Sequence, residues 1–348
     1  MKAIALTGIR AMSMMDVPDP VLQKDTDVLL RLTSIGVCGS DIHYYTEGKI
    51  GSQVVQYPFR VGHECAAVVE KAGKAVTAFK PGDRVAVDPA MWCNDCDQCR
   101  VGRFHTCRKL TFLGCPGQAE GCLSEFIVMP AQSCVKLPAG MSDEMGALIE
   151  PLAIGVYAAA QSRDLKGCTV GLLGAGPIGL SIMLAAKAQG AKAFYVTDKI
   201  DSRLKAARSA GAAWTGNPDR EDIVAAVTKA EPLLLDVVFE CCGQQAALDQ
   251  AVRLLKPGGI LMLVGIPAVD RVTFEIDLLR RREIRIQNVR RQNEKVHETI
   301  AGVASGRLAP AFMITHRFPF ARTKEAFDLV AAYEDGVIKA MIYFGDKP

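Results

Sequence analysis

The stretch Thr169–Gly179, TVGLLGAGPIG, limits most strongly what this chain can fold into. An apolar run ends in Gly174, Gly176 and Gly179, spaced G-x-G-x-x-G, and the residues after it carry helical spacing up to Gly190. A strand that enters a glycine turn and leaves as a helix opens a βαβ unit. Each glycine has its own task. Gly174 permits the tight turn, Gly176 lets the backbone approach a pyrophosphate, and Gly179 lets helix and strand pack closely. With Pro177 and Ile178 in the first helical turn, backbone N–H groups would face the phosphates.

The next apolar run, AFYVTD, ends at Asp198, about 20 residues beyond the glycines, where dinucleotide sites carry an acid. A carboxylate there accepts hydrogen bonds from ribose hydroxyls and repels a 2′-phosphate, which favours NAD over NADP. Lys199 and Arg203 are cations beside it and further candidate cofactor contacts. LLLDVVFECCG and GGILMLVGIP follow as apolar strands with helical sequence between them. Strands alternating with helices predict a parallel sheet, so the fold class is α/β with a doubly wound, Rossmann-type sheet. Cys241 and Cys242 end one strand and read as packed thiols.

Up to about residue 150 the texture differs, with short β-like runs such as DVLLRLTSIGV, CAAVVEKAG and DRVAVDP broken by Gly and Pro. That pattern suits a small barrel or sandwich. A chain of 348 residues exceeds one ordinary core and implies two domains. The net charge of +3 gives no bulk attraction to nucleic acid or to an anionic membrane, so neither is expected as a partner. MKAIALTGIR lacks the apolar core and cleavage site of a secretory signal. The longest uncharged stretch is broken by glycines and a proline, so it predicts strand, turn and helix rather than a membrane span. A cytoplasmic setting is expected, and there the 12 cysteines favour metal ligands or buried thiols over disulfides.

Four of those cysteines, Cys93, Cys96, Cys99 and Cys107, follow C-x2-C-x2-C-x7-C in a lobe at about 88–110. Four thiolates suit tetrahedral zinc and leave no open position, which makes such a site structural. A redox dithiol and a nucleic-acid zinc module are the competing readings, the second without a basic, aromatic-studded flank. Chemistry must then sit elsewhere. GVCGSDIH offers Cys38, Ser40, Asp41 and His43; VGHECAAVVE offers His63 and Glu64; GALIEPLAIG offers Glu150. Thiolate, imidazole and carboxylate are all zinc ligand types, and three of them leave a position for water or substrate. Taken singly, each has a plainer reading as a buried thiol, a structural histidine or a surface acid.

Together with KPGDRVAVDP, GAGPIG, VTD, LKPGGILMLVGIP and THRFP, these segments and their order resemble the zinc-dependent medium-chain dehydrogenases, within them the sorbitol (polyol) branch. The resemblance implies a GroES-like, β-rich catalytic domain over 1–152 and 290–348, a Rossmann NAD-binding domain over 153–289, and homo-dimers or homo-tetramers. It implies two zincs, one catalytic and one structural. Cys38 and His63 would ligate the catalytic zinc, with Glu64 as third ligand of the polyol type. Glu150 would either ligate zinc or hold its water. Thiolate and one carboxylate balance the dication, whereas a second carboxylate makes the set anionic and weakens its Lewis acidity. Glu64 is therefore expected as the ligand and Glu150 as a partner of the water or substrate. On a regular strand His63 and Glu64 would point to opposite faces, so both can ligate only if the backbone turns there, a turn that Gly62 permits.

Ser40 and His43 match the spacing of an alcohol-dehydrogenase proton relay, with Glu150 as the alternative route. Tyr44 lies in the segment that lines the polyol pocket in the family. Arg290 and Arg291, in NVRRQN, suit several hydroxyls, a carboxylate or a phosphate, or else a solvated loop or subunit contact. The implied reaction takes a secondary alcohol of a sorbitol-, xylitol- or iditol-like polyol to a ketose, with hydride passing to NAD. L-Threonine, a diol and a phosphorylated polyol remain alternatives. The complete four-cysteine set, shared with alcohol and threonine dehydrogenases, keeps threonine in view. A non-catalytic NAD- or zinc-binding protein would be expected to lack Cys38, His63 or Glu64, and all three are present.

Overall fold

The computed structural model describes residues 1–345; positions 346–348 of the expected catalytic domain lie outside them. The chain divides into two compact units. The first comprises Met1–Glu150, Val296–Ala304 and the chain from Ile314 onward, and the second comprises Pro151–Lys295 and Ser305–Met313.

In the first unit the short β-runs gather into a seven-stranded sheet. Its spine runs Cys134–Lys136, Arg84–Val87, Glu64–Ala72, Asp27–Gly36, Lys339–Tyr343, Ile314–Pro319, and Phe126–Pro130 also pairs with Asp27–Gly36. Along Asp27–Gly36, Val28, Leu30 and Leu32 alternate into the core, as half-buried strands require. A register slip between Leu32 and Ser34 then moves the buried phase to Ile35. The slip brings Gly36 opposite Glu64 on one side and Met341 on the other. Lys339–Tyr343 thus becomes an interior strand of the sheet, beside the segment that carries Cys38.

The second unit holds six parallel strands. Their order is Trp214–Gly216, Ala193–Thr197, Thr169–Leu173, Leu235–Glu240, Leu255–Leu263, Arg285–Asn288. Counted along this unit, that is 3-2-1-4-5-6, the doubly wound order, with its switch point beside Thr169–Leu173. All five residues of that strand are buried, as expected for a parallel strand covered on both faces. TVGLLGAGPIG resolves into this strand, the glycine turn and the helix Pro177–Ala188. Among the described residues no helix is long and apolar enough to cross a membrane.

Candidate functional site

Cys93, Cys96, Cys99 and Cys107 converge in the first unit. Their sulfurs lie 3.5 Å (Cys93–Cys107), 3.6 Å (Cys96–Cys99), 3.8 Å (Cys96–Cys107) and 3.9 Å (Cys93–Cys99) apart. Four Zn–S bonds of about 2.3 Å in a tetrahedron set sulfurs about 3.8 Å apart, so the cage has the dimensions of zinc. These separations far exceed a disulfide bond of about 2 Å, and all twelve cysteines are free. Backbone N–H groups point at the sulfurs: Asp95 and Cys96 donate to Cys93 at 3.4 Å each, and Arg108 donates to Cys96 at 3.5 Å. The Arg108 N–H is the chief reason the Cys96 thiol is pulled down to about 6. Backbone N–H groups lower the Cys93 thiol too, whereas burial pushes Cys99 up to about 12, so the loop favours the thiolate, the form a metal takes, at Cys93 and Cys96.

Cys38, His63 and Glu64 form a second group, with one ligand atom of each within 4.8 Å of the others. Cys38 caps the helix Gly39–Glu47. Gly62 has the left-handed φ of 96°, and the strand begins only at Glu64, so His63 stands in the turn before it. The turn required of Gly62 is present, and it lets neighbouring side chains reach one point. Asp41, buried, fastens both segments. It accepts the Cys38 N–H at 3.3 Å and the Gly62 N–H at 3.1 Å, and its Oδ1 lies 3.3 Å from His63 Nδ1. With Nδ1 turned to a carboxylate, Nε2 is the nitrogen left for a metal. Burial works against the His63 imidazolium, but the charges of Asp41 and Cys38 outweigh it and hold the pKa well above its ordinary value. The Phe112 ring packs against His63, centroids 5.4 Å apart.

Lys339 enters this cluster from the last strand. Its ammonium is buried and donates to Glu64 Oε1 at 2.8 Å, Glu64 Oε2 at 2.7 Å and the Val37 carbonyl at 3.0 Å. Glu150, also buried, has one carboxylate oxygen, Oε2, without a hydrogen-bond partner. Burial pushes its carboxyl up to about 7, with Glu64 and Asp88 adding to the rise and His63 and Lys339 opposing it. A buried oxygen with an unmet demand is what a site built around a cation or its water provides. The residues present fit zinc.

Ser40 donates to Cys38 Sγ at 3.4 Å, while His43 lies further along the same helix, half-buried. Tyr44 is buried and donates to Gln53 Oε1 at 2.9 Å, with its hydroxyl 3.9 Å from Cys115 Sγ. The sequence reading missed Gln53, Phe112 and Lys339, and gave Asp41 no role. Only Lys339 carried a signal: a cation inside the apolar run VIKAMIYF, where burial demands a partner.

In the second unit, Gly174 takes φ 110°, and a Cβ on Gly179 would stand 1.9 Å from the Gly174 carbonyl oxygen. Only glycine permits that approach. Gly176 caps the helix, with Pro177 at its first position and Ile178 next. Asp198 accepts the Ala175 N–H at 2.8 Å and the Ile200 N–H at 2.9 Å, which ties the acid to the glycine loop. Arg203 stands 4.0 Å from Asp198 and 3.5 Å from where a Gly176 Cβ would be, so it lies over the loop. Lys199 is paired with Asp219 at 2.8 Å. Glu240, buried, accepts the N–H groups of Cys242 (2.8 Å) and Gly243 (2.6 Å), which shapes the turn that faces Gly174. Cys242 is exposed, which corrects its reading as a packed thiol; the strand ends at Glu240 and leaves the cysteines in the turn. Arg290 is exposed and Arg291 half-buried with φ 53°, both just beyond the strand Arg285–Asn288.

Comparison with known proteins agrees with this chemistry. Residues 24–139 match the alcohol dehydrogenase GroES-like domain, and residues 177–305 match the zinc-binding dehydrogenase family. The sorbitol dehydrogenase of Bacillus subtilis (strain 168) is 34% identical over 344 residues, covering 99% of this chain and 97% of its own. An alcohol dehydrogenase of Escherichia coli CFT073, solved with NADH, superposes with a TM-score of 0.91 at 28% identity, covering 99% of both chains. A zinc-binding dehydrogenase of Sinorhizobium meliloti 1021, solved with NADP, gives a TM-score of 0.89 at 28% identity over 98% of both chains. A cage of four thiols with room for a metal, a separate Cys–His–Glu cluster and a doubly wound glycine loop, on a chain so matched along its length, make this protein an enzyme of the zinc-dependent medium-chain dehydrogenase family, among its polyol and sugar-alcohol dehydrogenases.

Proposed function

We propose that this enzyme oxidises a secondary alcohol of a polyol to a ketose, passing hydride to NAD and releasing one proton. The observation that carries the reading is the contrast between the two ligand sets. One is closed by four thiols, and the other is a Cys38–His63–Glu64 set beside the orphaned oxygen of Glu150. Zinc held by Cys38, His63 and Glu64 would supply Lewis acidity toward the substrate hydroxyl, and NAD would supply the hydride acceptor. Asp41 keeps His63 in one tautomer and orientation. Glu150, buried and electrostatically coupled to His63 and Glu64, is the group suited to hold the released proton, because burial pushes its carboxyl up to about 7. Ser40 and His43 are the second route for that proton.

Tyr44, with Gln53 beside it, offers hydroxyl-binding groups on the helix that starts at Cys38. Arg290 and Arg291 are proposed substrate contacts suited to hydroxyls, a carboxylate or a phosphate. Gly174, Gly176, Pro177, Ile178 and Gly179 form the pyrophosphate cradle, and Asp198 receives the ribose hydroxyls, with Arg203 over the loop. Lys199 already faces Asp219, which weakens it as a partner for a 2′-phosphate and supports NAD. The catalytic domain is taken as 1–152 with 290–348 and the cofactor domain as 153–289, in a cytoplasmic homo-dimer or homo-tetramer.

NADH formation measured across polyols, sugar phosphates, L-threonine and simple diols tests the reading. Turnover of polyols with NAD is expected. Turnover of threonine alone, or use of NADP to the exclusion of NAD, would overturn it.

A further inference from the structure

The buried ammonium of Lys339 spends all three of its hydrogens on the segments that bear the catalytic ligands. One goes to the carbonyl of Val37, next to Cys38, and two go to the carboxylate of Glu64, next to His63. Lysine and glutamate are each 1% exposed, so neither charge is shared with water. A buried pair of this kind is held by geometry, and each partner becomes costly if the other leaves. Gly36 completes the arrangement, since a Cβ there would stand 2.2 Å from Glu64 Oε2. The carboxylate lies where only a glycine strand makes room for it.

The same carboxylate is one of the three groups that gather to ligate zinc. Two cations, one fixed by the fold and one exchangeable, therefore face one anion. We propose that Lys339 is a positioning residue that competes with the catalytic zinc for Glu64. It weakens Glu64 as a ligand and leaves the metal a stronger Lewis acid. Charge favours this reading. The dication with Cys38 and Glu64 is neutral, Lys339 adds one positive charge and the buried Asp41 beside His63 one negative, so the metal and the ammonium share the Glu64 carboxylate as their common anion. The inference rests on the zinc reading of Cys38, His63 and Glu64.

Metal affinity, read apart from turnover, tests it. Zinc affinity at the Cys38 site is measured by chelator competition in the full-length wild type, Lys339→Met, Glu64→Gln and the double variant. Cobalt absorption reports the ligand set. Lys339→Met is expected to bind zinc more tightly by about tenfold or more, because the Glu64 carboxylate no longer divides its charge between the metal and an ammonium. In the Glu64→Gln background that gain is expected to vanish. Unchanged or weaker binding in folded Lys339→Met overturns the proposal, and so does an equal gain in both backgrounds, which is plain charge repulsion. Lys339→Gln, which keeps a donor for Glu64 and Val37, carries the same expectations and replaces Lys339→Met should that variant not fold. A cobalt spectrum that Cys38→Ser leaves unchanged would instead overturn the zinc reading itself.

Discussion

Glu150 shows how a single buried residue can couple stability to acidity. Burial, above all, pushes its carboxyl up from the ordinary glutamate range to about 7. A group whose folded pKa is raised binds a proton more readily in the folded state. Its contribution is therefore most favourable below about 4.5 and is lost as pH rises through about 7. A rise to about 7 corresponds to roughly 3 kcal/mol at full ionisation. Zinc-stripped protein is expected to lose that much stability between about pH 4.5 and pH 7.5, and Glu150→Gln to lose correspondingly less. Denaturant unfolding of both proteins across this range checks it; parallel pH profiles would show that Glu150 is not the responsible group. This residue was legible in LIEPL only through the family resemblance, because burial, which sets its pKa, is invisible in a linear string.

At the scale of elements, the four-cysteine lobe and the helix that begins at Cys38 have different work to do. The lobe holds no regular element longer than the one-turn helix Asp97–Arg100; Trp92 against Phe104, Asn94 on Gln132 and Arg108 on Asp97 fasten it, and a metal on its four thiols would add to that order. Cys96→Ser is expected to remove one of two zincs per chain, lower the thermal midpoint and leave hydride transfer in the folded fraction. Cys38→Ser is expected to remove the other zinc, keep the fold and abolish turnover. Metal analysis, thermal melts and NADH formation on the two variants separate these roles. A Cys96→Ser protein that stays folded and assembled yet transfers no hydride would show that the cage takes part in the chemistry. The cage was readable in advance because its ligands lie within one short segment, and spacing there nearly dictates geometry.

At the scale of the whole molecule, two units with separate hydrophobic cores carry the two kinds of site. Heating is expected to give two transitions with separate ligand responses. NADH at about a hundred times its Kd should stabilise the glycine-loop unit by about 2.7 kcal/mol, and a chelator should lower only the other. Calorimetry with each ligand checks this. A single transition that both ligands move equally would show that the units unfold as one.

The sequence by itself determined the doubly wound sheet, the glycine turn and the convergence of four cysteines. Each depends on sterics or spacing within a few neighbouring residues, and those rules act along the chain. It also marked Cys38, His63 and Glu64 as ligand types, and Gly62 as the place where the chain had to turn. Only the tertiary structure decided that Asp41 binds both ligand segments and that Glu150 has an unmet oxygen. It alone brought Lys339 to Glu64 across 275 residues. Charge and desolvation act through space, so the partner of a buried ion is set by which strands lie side by side, and no local pattern in the sequence records that.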